Sequence, residues 1–170
     1  MTQPAEIRTL NVDDAEALMT LRRRALQEEP LSFMATPEND VSASLERVGR
    51  LLDGEAGSVV LGGFGRDLLG MVGLRRDAHR KSAHKAYIWG LYVRPESRRQ
   101  GLGRRLLEAA IEQARHLDGA RLLHLSVADP ATGAKQLYLK AGFETWGREP
   151  ESLCHEGRCV AEDHMVLRLP

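Results

Sequence analysis

The sequence predicts an α/β fold, and three patterns of apolar residues support this prediction. Two almost unbroken apolar runs, 86–93 (AYIWGLYV) and 121–127 (RLLHLSV), are typical of strands covered on both faces. The segment between them has the apolar period of a helix, so the two strands should be parallel. Runs 58–64 and 68–74, joined by a three-residue turn, predict an antiparallel hairpin. Together these pairs predict a mixed sheet.

Length and composition bound the class of protein. A chain of 170 residues suits one ordinary domain, and we expect residues 1–170 to form a single domain with one active site. Its 42% apolar and 28% charged residues are typical of a soluble globular protein. The start, MTQPAEIRTL, does not resemble a secretory leader, and no apolar stretch reaches the roughly twenty residues of a membrane span. We therefore expect a cytoplasmic protein with no membrane partner.

Charge and cysteine content exclude further classes. The 24 basic residues balance 24 acidic ones and aromatic residues make up 5%, so we expect no nucleic-acid partner. Cys154 and Cys159 are too few for a disulfide framework, and we expect free thiols. With His155 and His164 they fit no common zinc spacing, so we expect no metal site.

The N-terminal third begins with a short strand and a helix. Residues 7–10 alternate apolar and polar side chains, and Asp13 with Glu16 resembles a capping box for a helix that ends near Leu26. Residues 29–41 contain two prolines and no clean period, which predicts a long loop.

The first helix carries a run of three arginines. Its apolar positions leave Arg22, Arg23 and Arg24 largely toward water, so we interpret the run as a solvated face. After the loop, a second helix is predicted where apolar residues recur at Leu45, Val48, Leu51 and Leu52.

The centre of the chain predicts a strand, a turn and the clearest helix. Gly90 interrupts the first buried strand, which indicates either a bulge or packing space for a helix. The helix that follows should end at Gly119, a residue suited to a left-handed cap. Beyond the second buried strand we expect a helix over about 132–141. A strand that starts at 143–146 should then pair with a last strand over about 159–169.

The turn RPESRRQGLGRR, between the first buried strand and the central helix, has the features of an anion site. Gly101 and Gly103 let a ligand approach the backbone where a helix offers unpaired N–H groups and a partial positive charge. Arg98, Arg99 and Arg104 add mobile positive charge, which favours a ligand with several phosphates. A strand-to-helix turn with solvated arginines is the alternative. The chain lacks the GxxxxGK[ST] loop and the GxGxxG turn, which disfavours nucleotide hydrolysis and hydride transfer.

Two separated motifs resemble one protein family. VRPESRRQGLGRRLL resembles the central motif of GCN5-related N-acetyltransferases (GNAT), Q/R-x-x-G-x-G/A, with Arg98, Gly101 and Gly103 at its fixed positions. AKQLYLKAGF, residues 134–143, resembles the family's A-x-x-L-Y-x-x-x-G-F segment, and DHMVLRL its final strand. The resemblance implies a central mixed sheet of six to seven strands, splayed between two parallel central strands and flanked by about four helices.

The resemblance also implies the acyl donor, acetyl-coenzyme A (acetyl-CoA), and the residues that bind it. An acetyl group would pass directly to a primary amine in a ternary complex. Backbone groups of Leu91, Tyr92 and Val93 would bind the pantetheine arm and polarise the thioester carbonyl. The pyrophosphate would lie on the turn formed by Arg98, Arg99, Gln100, Gly101, Leu102, Gly103 and Arg104.

By the same resemblance, Tyr138 can protonate the departing thiolate. It also falls in an ordinary helical core stripe, so packing is the alternative. Many relatives carry an asparagine seven residues earlier, where this chain has Ala131, and often a glutamate on the central strand, where this chain has no carboxylate. Both departures leave a non-catalytic acetyl-CoA-binding module as the alternative function.

The acceptor should be a small-molecule or peptide amine. Glu28 before the long loop, His84 before the central strand, or a chain of waters could serve as the general base. Phe33, Met34 and Trp89 either line an acceptor pocket or belong to the core. The family resemblance also allows a homodimer.

Overall fold

The computed structural model describes residues 5–54 and 57–170, which form one mixed sheet and four α-helices. The strands are β1 (Glu6–Thr9), β2 (Ser58–Phe64), β3 (Leu68–Arg76), β4 (Lys85–Val93), β5 (Leu122–Ala128), β6 (Glu144–His155) and β7 (Arg158–Arg168). The helices are α1 (Ala15–Glu28), α2 (Leu45–Leu52), α3 (Leu102–Arg115) and α4 (Thr132–Lys140). None of these helices is long and apolar enough to cross a membrane. The predicted mixed α/β architecture is confirmed.

The seven strands lie in the order β1-β2-β3-β4-β5-β7-β6, and only β4 and β5 run parallel. Helix α3 crosses between these two strands, as predicted. Their pairing extends only from Lys85 with Leu122 to Tyr87 with His124. Beyond Tyr87 the two strands diverge, which confirms the predicted splay.

Gly90 lies in a β-bulge at the splayed end of β4. The pairing with β3 skips one residue there, because Tyr92 pairs with Met71 while Trp89 pairs with Gly73. Gly90 has φ of +65°, a left-handed conformation that glycine adopts without strain. The prediction of a bulge at Gly90 is therefore confirmed.

The two faces of the sheet bury separate apolar cores, which is why β4 and β5 read as nearly unbroken apolar runs. The core beneath α3 includes Leu106, Leu107, Leu123, Phe143 and Met165. The core beneath α1 and α2 includes Leu18, Leu21, Val48, Val60 and Met71. The two helical layers hold the splayed strands between them.

The expected capping box of Asp13 and Glu16 is wrong. The side chain of Asn11 instead accepts a hydrogen bond from the Asp13 amide at 2.9 Å, and Asp14 accepts one from the Asn11 amide at 3.0 Å. This box caps a 3-10 turn over residues 12–14 that leads directly into α1. Asparagine caps helices as well as aspartate does. Because Asn11 is the capping residue, the cap lies two residues earlier than expected.

The expected solvated face of α1 is wrong for Arg22, which is only 6% exposed. It falls four residues after Leu18 and three before Ala25, and therefore on the buried stripe of the helix. Asp40 balances its charge, with 3.0 Å between Nη2 and Oδ2. Arg23, which follows it, is exposed.

The C-terminal hairpin of β6 and β7 carries a disulfide between Cys154 and Cys159, so the expectation of free thiols is wrong. The two cysteines are direct cross-strand partners, with their Cα atoms 4.0 Å apart. This register brings their side chains together, and the number of cysteines alone does not reveal it. The bond also occupies the sulfur atoms that a metal site would need.

Candidate active site

A cavity of about 770 Å³ passes through the gap between β4 and β5. Its walls come from the bulged end of β4, the start of α3, the end of β5 with the start of α4, and the loop of residues 29–44, called here the α1–α2 loop. The β4–β5 ladder stops at Tyr87, so within the described ranges the end of β4 is not paired with β5. Its free backbone groups need partners from a ligand or from water.

The turn that leads into α3 presents a row of free amides at one end of this cavity. Gly101 precedes the helix with φ of +78°, and the first helical hydrogen bond runs from the Arg105 amide to the Gly101 carbonyl at 3.1 Å. Among the described residues, the amides of 99–104 donate to no backbone acceptor. With the positive end of the helix dipole, these amides have the geometry that an anion site requires.

The arginines of the turn differ in their freedom. The expectation of mobile charge is wrong for Arg98, whose Nη2 pairs with Glu29 at 3.1 Å and whose Nε donates to the Val93 carbonyl at 2.9 Å. Arg104 makes only an exposed ion pair within α3. Arg99 lines the cavity and has no ion-pair or hydrogen-bond partner in the described part of the chain. Mobile charge for an anion therefore comes from Arg99 and Arg104.

Tyr138 reaches the cavity from α4. The residue is 6% exposed, lines the cavity, and packs edge-on against Phe143 with ring centroids 5.9 Å apart. Burial raises the pKa of its phenol well above the ordinary value, so the hydroxyl stays protonated at neutral pH. That hydroxyl has no hydrogen-bond partner among the described residues. Tyr138 belongs to the core and is also available as a proton donor.

The family model described as "Acetyltransferase (GNAT) family" matches residues 17–143. The chain belongs to this family. A comparison with curated proteins finds no match. Among solved structures, a GNAT-family acetyltransferase from Streptococcus pneumoniae has a TM-score of 0.86 at 24% identity, covering 97% of this chain and 99% of that one.

Two other solved relatives were determined with acetyl-CoA. YncA from Salmonella typhimurium has a TM-score of 0.83 at 21% identity, covering 98% of this chain and 94% of that one. A phosphinothricin acetyltransferase from Sinorhizobium meliloti has a TM-score of 0.83 at 18% identity, covering 99% of this chain and 89% of that one. At these identities the likeness shows that the GNAT fold is shared.

The GNAT fold brings together most of the residues expected to bind the acyl donor. Those that line the cavity are Leu91, Tyr92, Val93, Arg98, Arg99, Gly101, Leu102, Gly103 and Arg104. Gln100 is not among them, and its side chain instead lies 3.5 Å from the carbonyl of Glu96. Ala131 lines the cavity just before α4 and makes no side-chain capping bond. Any contact between Ala131 and the acyl donor must therefore come from the backbone or the methyl group of Ala131.

Glu28 supports the wall of the cavity from behind and does not line it. Its carboxylate accepts a hydrogen bond from the Tyr92 hydroxyl and pairs with Arg24 at 2.7 Å. These donors, Tyr92 foremost, lower the pKa of Glu28, which makes it a poor base. The next residue, Glu29, does line the cavity and was not singled out from the sequence.

The other residues predicted to bind the acceptor lie in different parts of the fold. Phe33 and Trp89 line the cavity, whereas Met34 is 85% exposed and lies outside it. His84 lies just before β4, at the end where β4 and β5 are still paired, and its carbonyl accepts the Arg121 amide at 2.8 Å. The structure therefore does not bring His84 to the cavity.

Arg22 forms a second layer behind the acceptor side. Its guanidinium carbon lies 4.8 Å from the ring centroid of Phe33 and 5.7 Å from that of Trp89. The Nη1 atom is buried and finds no hydrogen-bond partner among the residues that the structure describes. Its position on the apolar stripe of α1 was the signal in the sequence that could have identified it.

Three polar side chains near the cavity form a chain of contacts; the sequence singled out neither Ser126 nor Glu149, and it raised His164 only as a metal ligand. Ser126 lines the cavity from β5, and its Oγ lies 2.9 Å from Nδ1 of His164 on β7. Nε2 of His164 lies 3.0 Å from a carboxylate oxygen of Glu149 on β6. Alternation predicts which face each side chain takes, but not which strands are neighbours. No cluster of three or more His, Cys, Asp or Glu residues within the described ranges could hold a metal ion.

Proposed function

We propose that this chain is an acetyl-CoA-dependent N-acetyltransferase that passes an acetyl group directly to a primary amine in a ternary complex. The cavity carries the proposal, because it joins in one space the free amides of the turn, the β5-facing edge at the end of β4 and the side chain of Tyr138. Family membership and two relatives solved with acetyl-CoA support this donor. We further propose that residues 1–170 act as a single catalytic domain.

Different walls of the cavity suit the phosphates and the pantetheine arm of acetyl-CoA. Amides 99–104, with Arg99 and Arg104, suit the phosphates. The end of β4 pairs with β3 but not with β5. Its β5-facing edge therefore offers backbone donors and acceptors to the two amide groups of the pantetheine arm. Leu91, Val127 and Leu137 add apolar contact in the gap. The donor would thus cross the sheet from the helix α3 side toward the α1–α2 loop.

Two features of the chain suit the chemistry. The N–H groups near the Gly90 bulge are fixed dipoles, suited to the negative charge that develops on the thioester oxygen during attack. The side chain of Tyr138 is largely buried, and its protonated hydroxyl has no hydrogen-bond partner among the described residues, which suits a proton donor to the departing sulfur.

The acceptor amine would enter on the side of the α1–α2 loop. Ser32 and Phe33 of that loop line the cavity there, together with Trp89 and Ser126. These residues combine aromatic and hydroxyl groups, which suits a small amine or the end of a peptide.

Isothermal titration with acetyl-CoA, followed by a coenzyme A release assay, tests the proposal. The acceptor panel would contain spermidine, an aminoglycoside, the standard amino acids and peptides with free N-termini. Saturable binding with amine-dependent release would support the enzyme. Binding without release by any of these amines would favour the non-catalytic acetyl-CoA-binding module, which the missing side-chain contact at Ala131 also favours. Absence of binding would overturn both.

A further inference from the structure

A chain of hydrogen bonds leads from the cavity across three neighbouring strands. Ser126 Oγ lies 2.9 Å from His164 Nδ1, and His164 Nε2 lies 3.0 Å from Glu149 Oε2. Ser126 lines the cavity, while the side chains of His164 and Glu149 are 28% and 53% exposed. The three residues, called here the relay, therefore connect the reaction space with solvent.

The sheet itself sets this geometry. Ser126 and His164 are direct partners in the β5–β7 ladder, so their side chains leave the same face. On the other side of β7, His164 pairs with Gly147, which has no side chain to compete for the space. The ring of Trp146 flanks the imidazole, with centroids 5.5 Å apart. The imidazole is thus held between two strands and an aromatic ring.

The hydrogen bonds also define the form of the neutral imidazole. An ionised carboxylate only accepts, so Glu149 requires the proton on Nε2. Nδ1 then presents its lone pair to the hydroxyl of Ser126, and Ser126 Oγ keeps lone pairs directed at the cavity. This is the arrangement in which a histidine withdraws a proton through a hydroxyl group.

We propose that the relay is the general base of the acetyl transfer, a proposal that rests on the function proposed above. The acceptor ammonium gives a proton to Ser126 Oγ while the hydroxyl proton of Ser126 passes to His164 Nδ1. The freed lone pair of the amine then forms the C–N bond, and the C–S bond breaks with its electron pair on sulfur. Tyr138 protonates that sulfur and regains the second proton lost by the nitrogen. Glu149 stabilises the imidazolium until its proton passes to solvent.

The other candidate bases are less well placed. Glu29 lines the cavity but is paired with Arg98, Glu28 lies behind the wall, and His84 lies at the far end of β4. The relay supplies the proton acceptor that β4 itself lacks.

Three side chains, one of them the relay residue Glu149, set the electrostatic surroundings of His164. Glu149 accepts its Nε2 proton from β6. Glu162, two residues earlier on the same face of β7, is buried and accepts a hydrogen bond from Ser152 at 2.6 Å. His124, two residues before Ser126 on β5, lies against the same Trp146, and its burial foremost lowers its pKa. The two carboxylates place negative charge beside the imidazolium that forms during turnover.

The first test is independent of catalysis. Long-range ¹H–¹⁵N spectra of the imidazole groups, recorded from pH 5 to 9, should show neutral His164 with its proton on Nε2. A neutral ring with its proton on Nδ1 would overturn the relay.

The second test is the pH dependence of kcat/KM for acetyl-CoA and the fastest amine of the panel. His164→Gln should lose about 100-fold or more at pH 7. It should recover as pH rises toward the pKa of the amine, where the acceptor needs no base. Ser126→Ala should show the same recovery, a response that a purely structural role would not produce.

His116→Gln is the matched control, because His116 also lies beside a glutamate, Glu112 at 3.7 Å, but on the exposed end of α3 away from the cavity. Its pH profile should equal that of the parent protein. A parent-like profile for His164→Gln would overturn the relay and leave the acetyltransferase intact. If the parent protein neither binds acetyl-CoA nor releases coenzyme A, the proposed function fails first and the relay with it.

Discussion

The guanidinium of Arg22 and the carboxylate of Asp40 meet in the interior, with 3.0 Å between Nη2 and Oδ2 and both side chains more than nine-tenths buried. Asp40 Oδ1 also accepts hydrogen bonds from the amide and hydroxyl of Ser42, at 3.0 and 2.8 Å. The pair ties α1 to the α1–α2 loop, which carries Phe33 into the cavity. The shape of the cavity wall around Phe33 therefore depends on a buried ion pair.

Replacement of Asp40 by Asn should lower the free energy of unfolding by about 3–5 kcal/mol, because Arg22 would keep a buried and uncompensated charge. Urea denaturation measures the loss. As a control, Glu46→Gln removes one partner of an exposed pair in α2 and should cost less than about 1 kcal/mol. Equal losses in the two variants would contradict the importance of the buried pair.

The contribution of Asp40 should also depend on pH. Burial by itself raises the pKa of this carboxyl, but the hydrogen bonds and charge of Arg22 outweigh burial, and the pKa is lowered. A lowered pKa in the folded state contributes stability above the unfolded value, about 3.9, and loses it as the pH falls through the folded value. The difference in unfolding free energy between parent and Asp40→Asn should therefore shrink below about pH 4.

Gly103 gives a test of the phosphate site with a closely matched control. A Cβ built on this residue lies 3.7 Å from Val93 and 3.8 Å from Leu137, which are ordinary contacts, so the fold accepts a side chain. Gly103→Asp should weaken acetyl-CoA binding by about 100- to 1000-fold, because a carboxylate would face phosphate at a partly desolvated site. Gly103→Ala, also a helical residue, should bind within about tenfold of the parent. Isothermal titration measures both, and similar losses in the two variants would argue for a steric effect.

The disulfide between Cys154 and Cys159 closes a short loop at the tip of the hairpin. Restricting this loop in the unfolded chain should contribute about 2 kcal/mol to stability. The Cys154→Ser, Cys159→Ser double variant should lose that amount, and a reducing agent should destabilise the parent but not the variant. Two thiols titrating in the unreduced, unfolded parent would contradict the bond.

Much of the fold and of the donor side could be predicted from local sequence. The buried strand, the glycine turn, the helix after it and the position of Tyr138 all depend on residues within one continuous segment or two recognisable motifs. The bulge at Gly90 also left a local sign, because an isolated glycine in an apolar strand is unusual.

The acceptor side could not be predicted in the same way, because it depends on which distant strands are neighbours. Ser126 is linked to Glu149 through His164 only because β7 lies between β5 and β6. The sequence indicated only the start of β6, at residues 143–146. β6 continues because it is an edge strand with two register shifts, where proline and irregular pairing are tolerated.

Tyr138→Phe separates the two roles of that side chain. Phenylalanine keeps the ring that packs against Phe143 and removes a hydroxyl that has no partner in the described part of the chain, so stability and acetyl-CoA affinity should change little. Turnover should fall by about 100-fold, the lower end of the range for general acid catalysis. Because burial places the pKa of the phenol above the ordinary value, the variant should lower the rate equally from pH 6 to 9, leaving any curvature in that range to other groups. Isothermal titration measures the acetyl-CoA affinity, and the coenzyme A release assay measures turnover. Unchanged turnover would assign Tyr138 to packing and leave the departing sulfur to take its proton from solvent.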